Sequence, residues 1–237
     1  MTVPDWERVI TEARDLGVEA VQFIGGDPTL HPGLGRLIRY SLQCGLRVDV
    51  YSNLVHVTPE LWELFELPGV SLGTSWYSAD PITHAKITGT VGSFWRTQTS
   101  IAEALRRGIK VRAGIVEVLD GQEVEGARER LLELGVTAVS TDQARGVGRA
   151  ARSTPATRAE LCGRCGDGRA AIFGGGDVSP CVLGRFLVAG NVKTTPLADI
   201  LGGPAWREIT GSIPRDSGCV TCTPADSNDC NPSRKPA

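Results

Sequence analysis

FIGGDPTLHPGLGRLI, residues 23–38, joins a β-rich run, Val18–Ile24, to a helical run, His31–Cys44, that stops at Gly45. A strand passing through a short glycine turn straight into a helix is the repeating unit of parallel α/β folds. Such folds bind ligands at the C-terminal ends of their strands, and Gly25, Gly26, Asp27 and Pro28 stand at that end. Two glycines let a ligand approach the backbone closely, and the Asp27 carboxylate suits an ammonium group. The competing reading is a plain strand-to-helix turn in which Asp27 caps the helix beginning near Leu30.

The same alternation continues on both sides. Upstream, Thr2-x-x-Asp5 has the form of a capping box, and Trp6, Val9, Ile10, Ala13 and Leu16 follow at helical spacing as far as Gly17. Downstream, strands are expected at Leu46–Tyr51, Val70–Ser75, Ile109–Val118 and Val136–Thr141, and helices at Pro59–Glu66, Ser93–Arg107 and Gln122–Leu134. Five strands alternating with five helices predict a parallel α/β sheet, as a barrel or a doubly wound layer. The run RGVGRAARSTPAT, residues 145–157, reads as a boundary, which gives one domain over residues 1–150 and a second over 151–237. The second holds β-like runs at Ala170–Phe173 and Arg185–Val188 and a helix near Pro196–Ile200 among many turn residues. Gly174, Gly175 and Gly176 lead into Asp177 as a hairpin turn. So little apolar core calls for a staple, and bound metal supplies one.

The cysteines match that need. Of 7 cysteines, six lie beyond residue 161: Cys162, Cys165 and Cys181, then Cys219, Cys222 and Cys230. Two Cys-x-x-Cys pairs, each with a further cysteine downstream, point soft thiolates at shared centres of zinc or iron–sulfur type. Disulfides fit less well, because MTVPDWERVI is not a signal peptide and the cysteine total is odd. Cys44, ahead of a helix-stopping glycine, reads as a small buried hydrophobe. The 3 histidines are scattered, so neither a histidine metal site nor a Ser–His–Asp arrangement is expected. A net charge of −2 recruits neither nucleic acid nor an anionic membrane surface. No apolar run approaches the ~20 residues of a membrane-spanning helix. A cytoplasmic location is expected.

In this order the motifs resemble the radical SAM enzymes. FIGGDPTLHPGLGRLI resembles the family's GGEP segment, which ends its second strand and receives the amino group of S-adenosylmethionine. VDVYSNL (48–54) is similar to the third-strand TNG segment, and residues 70–111 to the fourth strand, the H-x-x-x-x-G loop and the next helix and strand. DQARGVGRA (142–150) resembles the stretch that closes the barrel. The tail, with GDVSPC (176–181), resembles a SPASM or twitch domain, which carries auxiliary iron–sulfur clusters. The resemblance implies a partial parallel (β/α) barrel followed by a small cysteine-rich metal-binding domain. It further implies cofactor contacts at Gly25, Gly26, Asp27, Pro28, Ser52, Asn53 and Ser75. A 4Fe-4S cluster would be drawn from the six C-terminal cysteines, by preference Cys162 or Cys165, Cys181 and two of the last three. Arg145 is a weaker candidate partner for a cofactor carboxylate. On the expected strand Ile109–Val118, Arg112 and Glu117 point to opposite faces, so at most one faces the barrel interior.

The departures are equally specific. The family's Cys-x-x-x-Cys-x-x-Cys, which ligates the cluster that cleaves S-adenosylmethionine, occurs nowhere in the 237 residues. The first barrel strand is missing with it, since the chain opens at a helix cap. The expectation is that a longer N-terminus carries both, and that the chain as it stands is inactive. Asp27 replaces the family's Glu and shortens the arm by one methylene. With the upstream segment, the resemblance implies one-electron reduction of S-adenosylmethionine to a 5′-deoxyadenosyl radical, fed by an electron donor protein. That radical would abstract hydrogen from a peptide or protein substrate. Two alternatives stand beside it: a non-catalytic iron–sulfur or peptide-binding module that has lost the loop, and a zinc-stapled α/β protein with Cys162/Cys165 and Cys219/Cys222 as paired knuckles.

Overall fold

The computed structural model describes residues 1–144, 157, 158, 161 and 163–213. They form two compact units, residues 17–141 and residues 1–16 with the described residues from 142 onward.

In the first unit, β1 (Ala20–Phe23), β2 (Arg47–Tyr51), β3 (Val70–Trp76), β4 (Val111–Glu117) and β5 (Ala138–Gln143) lie side by side in chain order. The β1–β2, β2–β3 and β3–β4 pairings are parallel. The chain returns between strands through α2 (Leu34–Gln43), α3 (Pro59–Phe65), α4 (Pro81–Thr88), α5 (Ser93–Arg106) and α6 (Val124–Glu133), with α1 (Val3–Asp15) ahead of β1. The predicted parallel α/β architecture is thus the one formed.

Strand alternation divides the sheet into two chemically different faces. Val48, Val50, Val70, Leu72, Trp76, Val111, Ala113 and Ile115 share one core with Leu34, Ile38, Phe65, Phe94, Ile101, Ala104, Ala127 and Leu131 from the helices. Each such fully buried aliphatic or aromatic side chain contributes roughly 1.5–3 kcal/mol by leaving water. The other face carries Gln22, Asp49, Tyr51, Ser71, Ser75 and Arg112, and it positions the site described below.

Local chemistry sets the element ends. Thr58 and Asp80 cap α3 and α4, each followed by proline. The expected helix over His31–Cys44 is shorter than the reading of the sequence. Pro28–Leu30 forms one 3₁₀ turn, and α2 starts only at Leu34, beyond Pro32 and Gly33. Helix α4 was not foreseen. Its only buried residue is His84, so it carries no apolar stripe for a periodicity argument to find. Cys44 is half-buried at the end of α2 rather than a core residue.

In the second unit β6 (Ala171–Ile172), β7 (Asp177–Ser179) and β8 (Gly190–Asn191) form an antiparallel sheet, followed by α7 (Leu197–Leu201) and α8 (Pro204–Gly211). The glycine run does turn a hairpin: Gly176 N donates to Phe173 O at 2.8 Å, with φ +97° at Gly176. Arg185–Val188 is not a strand; the strand at this place is Gly190–Asn191. By compactness helix α1 groups with this unit. Val9 and Ala13 pack with Val178, Val192, Leu197 and Ile200. Arg8 donates to Val192 O at 2.6 Å, and Glu12 Oε2 accepts from Leu197 N at 2.7 Å, capping α7 from a neighbouring helix. The capping box of Thr2 and Asp5 is formed as predicted, and Asp5 is held below the usual carboxylate range by hydrogen bonds from the Thr2 backbone and side chain.

Candidate functional site

The C-terminal ends of β1 and β2 meet at Asp27. Thr29 N and Thr29 Oγ1 donate to its Oδ1 at 3.0 and 2.7 Å. Ser52 Oγ lies 3.0 and 2.9 Å from the two carboxylate oxygens, and Asn53 N donates to Oδ2 at 3.1 Å. The turn reading, with Asp27 as a cap, is therefore part of the structure. In addition the side chain joins two strand ends, which spacing along the sequence did not show. Pro28 is buried as the first residue of the 3₁₀ turn. Gly25 and Gly26 are exposed, and a Cβ at either would meet nothing within 4 Å. That is the open backbone surface a ligand would need.

The segment after β2 is a tight, strained turn. Leu54 has φ 54°, the one positive φ of a non-glycine among the described residues, and it is fully buried. A leucine in this region costs on the order of 1–3 kcal/mol and persists where its surroundings dictate it. Here Leu54 N donates to Ser52 Oγ at 3.1 Å, Val55 N donates to Asn53 Oδ1 at 2.8 Å, and Thr97 Oγ1 donates to Asn53 O at 2.8 Å. The place where the TNG pattern has its glycine thus carries a leucine in a conformation that favours glycine.

Ser75 lies on the polar face of β3, away from this clasp but linked to β2. Tyr51 Oη and Ser75 Oγ are 3.0 Å apart. The Tyr51 ring lies across Gly73, where a Cβ would sit 2.5 Å from Tyr51 Cδ2, and the Arg112 guanidinium carbon is 5.5 Å from the ring centroid. Arg112 is paired with Asp49, which also accepts from Gln22 Nε2 at 2.6 Å and Ser71 Oγ at 3.1 Å. Burial pushes the Tyr51 phenol above its ordinary pKa, with the Ser75 hydrogen bond opposing, so the hydroxyl stays protonated. A charged pair on one face of a parallel strand array is unusual, because such strands normally read as apolar runs. That was the available signal for Asp49 in VDVY and Arg112 in VRAGIV. Arg112 is the one of the two β4 candidates on this face.

In the second unit two of the six predicted metal-ligating cysteines are described. Cys165 and Cys181 approach to 3.3 Å between Sγ atoms. Cys165 sits among Leu161, Leu187 and Ile213, with Leu183 and Ile209 against them. Gly166 N donates to Pro180 O at 3.0 Å, which fixes the two cysteine loops to each other, and Gly184 N donates to Cys181 Sγ at 3.2 Å. Two soft donors side by side in an apolar pocket, one already bonded by a backbone N–H, fit the chemistry of a thiolate-held metal centre. Cys162, Cys219, Cys222 and Cys230 lie outside the described residues, as does Arg145. Among the described residues no group of three potential ligands converges, and no helix is long and apolar enough to cross a membrane.

Comparison with known proteins gives the same frame. The profile of the radical SAM superfamily matches residues 1–135, and that of the iron–sulfur cluster-binding SPASM domain matches residues 154–223. The chain belongs to the radical SAM superfamily, with a SPASM-type region following the sheet. Among curated relatives, an AdoMet-dependent heme synthase of Methanosarcina barkeri is 32% identical over 45% of this chain and 31% of its own. A PqqA peptide cyclase of Ruegeria pomeroyi is 30% identical over 55% of this chain and 35% of its own. The chain therefore spans only those shares of these relatives. The crystal structure of Streptococcus suis SuiB bound to precursor peptide SuiA superposes with a TM-score of 0.74 at 15% identity, over 94% of this chain and 63% of that one. anSMEcpe with bound AdoMet gives 0.69 at 10% identity, over 94% of this chain and 74% of that one. At these identities the structures establish the shared fold.

Proposed function

We propose that this chain is the cofactor-orienting and auxiliary-cluster part of a radical S-adenosylmethionine enzyme that modifies a peptide. The observation that carries the reading is the order of two regions in one chain, a radical SAM sheet and then a SPASM-type region whose Cys165 and Cys181 thiols converge. S-Adenosylmethionine, when bound and reductively cleaved, supplies hydrogen abstraction; the protein supplies binding, orientation and exclusion of water. Gly25, Gly26, Asp27, Pro28, Ser52 and Asn53 form the rim that would hold the cofactor's methionyl end, and Ser75, bonded to Tyr51 on the polar face of β3, would contact the cofactor apart from that rim. A 4Fe-4S auxiliary cluster would be held by Cys165 and Cys181 with two further ligands drawn from Cys162, Cys219, Cys222 and Cys230. The precursor peptide bound to SuiB and the peptide cyclases among the relatives support a peptide as substrate. An electron donor protein and a cytoplasmic setting complete the proposal.

Anaerobic iron–sulfur reconstitution tests it. The expected product is brown, absorbs near 400 nm, and holds about four iron and four sulfide per chain, as a 4Fe-4S cluster requires. Cys165→Ser and Cys181→Ser should each lower the iron content. A colourless protein with stoichiometric zinc would select the zinc-stapled alternative. Because these 237 residues contain no Cys-x-x-x-Cys-x-x-Cys, they should form no 5′-deoxyadenosine from S-adenosylmethionine and reductant on their own. Its formation by this polypeptide would overturn the division of labour proposed here.

A further inference from the structure

We propose that Asp27 is a positioning residue, an internal clasp that sets the cofactor rim, and not the group that receives the cofactor's ammonium. This rests on the reading of the rim as a cofactor site, and it concerns the one residue at which the chain departs from the family's Glu.

The geometry assigns the role. A carboxylate offers about four lone-pair sites. Those of Asp27 face Thr29 N, Thr29 Oγ1, Ser52 Oγ and Asn53 N, all at 2.7–3.1 Å. Every donor comes from this chain, so an incoming ammonium would have to displace one of them. What the bonds accomplish is structural. They tie the end of β1 to the turn after β2, whose Leu54 is held at φ 54°. Ser52 is shared between the two jobs, bonding Asp27 and also accepting from Leu54 N at 3.1 Å. The shorter Asp27 fits because its arm folds back onto its own loop, bonding Thr29 two residues on. The surface left open to a ligand is then the exposed Gly25–Gly26 backbone, where no atom crowds the Cα positions. Asn53, also exposed, flanks it with its backbone N–H and side-chain oxygen already committed to the turn.

Two measurements on the full chain decide the matter. The first is amide hydrogen exchange of the ligand-free protein at residues 53–55. Asp27→Asn and Ser52→Ala should each speed exchange there, by about tenfold for the loss of one charge-assisted hydrogen bond. The most protected amides of β3 should stay unchanged, which separates a loosened clasp from a protein that fails to fold. The second is equilibrium binding of S-adenosylhomocysteine, which carries the amino group, and of its deaminated analogue, which keeps the carboxylate and the rest of the methionyl chain and lacks only that group. A clasp predicts that Asp27→Asn weakens both ligands by the same factor, leaving the ratio of their dissociation constants unchanged. A direct ammonium contact predicts that only S-adenosylhomocysteine weakens and the ratio collapses. Unchanged exchange at 53–55, or a collapsed ratio, overturns the proposal. If the wild-type chain binds neither nucleoside, the cofactor reading itself fails, and the exchange measurement still decides whether Asp27 is a clasp.

Discussion

Replacing Asp49 by alanine should destabilise the sheet by about 3 kcal/mol, near the low end of what breaking a buried ion pair costs. Asp49 and Arg112 keep 15% and 19% of their side-chain surface, so solvent softens the loss without removing it. Three things go at once: the pairing with Arg112, the bond from Gln22 Nε2 at 2.6 Å and the bond from Ser71 Oγ at 3.1 Å. Arg112 Nη1 is buried without a partner already, so a second unpaired edge leaves the guanidinium charged and desolvated on a sheet face. For a protein of this size, ~3 kcal/mol corresponds to a fall in Tm of roughly 6–12 °C. The origin of the effect is testable in a cycle. Asp49→Ala with Arg112→Leu removes the orphaned charge and should recover about half of the loss, because the dominant penalty is the uncompensated cation. The readout is the urea dependence of exchange for the most protected β3 amides, which report unfolding of the sheet itself. A loss below about 1 kcal/mol for Asp49→Ala, or a double variant as unstable as the sum of the singles, would refute the buried-pair account.

Three other perturbations follow from the same packing. His84 is fully buried between Trp76, Tyr77 and Phe94, with ring centroids 4.9, 5.5 and 5.6 Å away, and burial lowers its pKa from 6.5 to about 4. The unfolded chain therefore binds the proton first, so this contribution is complete above pH ~6.5 and falls away as the pH drops toward about 4, by about 3 kcal/mol in all; His84→Phe should flatten that part of the pH profile of the urea midpoint. Gly73→Ala places a Cβ 2.5 Å from Tyr51 Cδ2 and should cost about 1–3 kcal/mol as Tyr51 is pushed from Ser75, whereas Gly114→Ala, with 3.2 Å to Tyr51 Oη, should lower Tm less. Glu12→Ala removes the acceptor for Leu197 N and should cost about 1 kcal/mol, read as faster amide exchange at the first turn of α7.

Much of the fold was legible from local chemistry. Capping residues, glycine stops and apolar periodicity act over a few residues, so Thr2, Thr58, Gly17, Gly108 and Gly135 marked element ends that the structure reproduces within a residue or two. What local chemistry does not encode was missed. Helix α4 has no apolar stripe, and α8 has no fully buried residue. The packing of α1 onto the second unit depends on Glu12 and Arg8 reaching residues 185 and 184 positions away.

The site divides in the same way. The order of GGDP, SNL and the cysteine pairs by itself determined the family and a thiolate-rich tail, because backbone-approach glycines and Cys-x-x-Cys turns state their chemistry in adjacent residues. Only the tertiary structure showed which groups Asp27 bonds, since its partners Ser52 and Asn53 arrive from the next strand. The same holds for the Asp49–Arg112–Tyr51–Ser75 tier, drawn from three strands, with Tyr51 and Arg112 packed where a side chain at Gly73 would stand. It holds too for the pairing of Cys165 with Cys181. In each case the deciding contact joins residues far apart in the chain, and parallel strand register, which no short window of sequence contains, is what brings the strand-borne ones together.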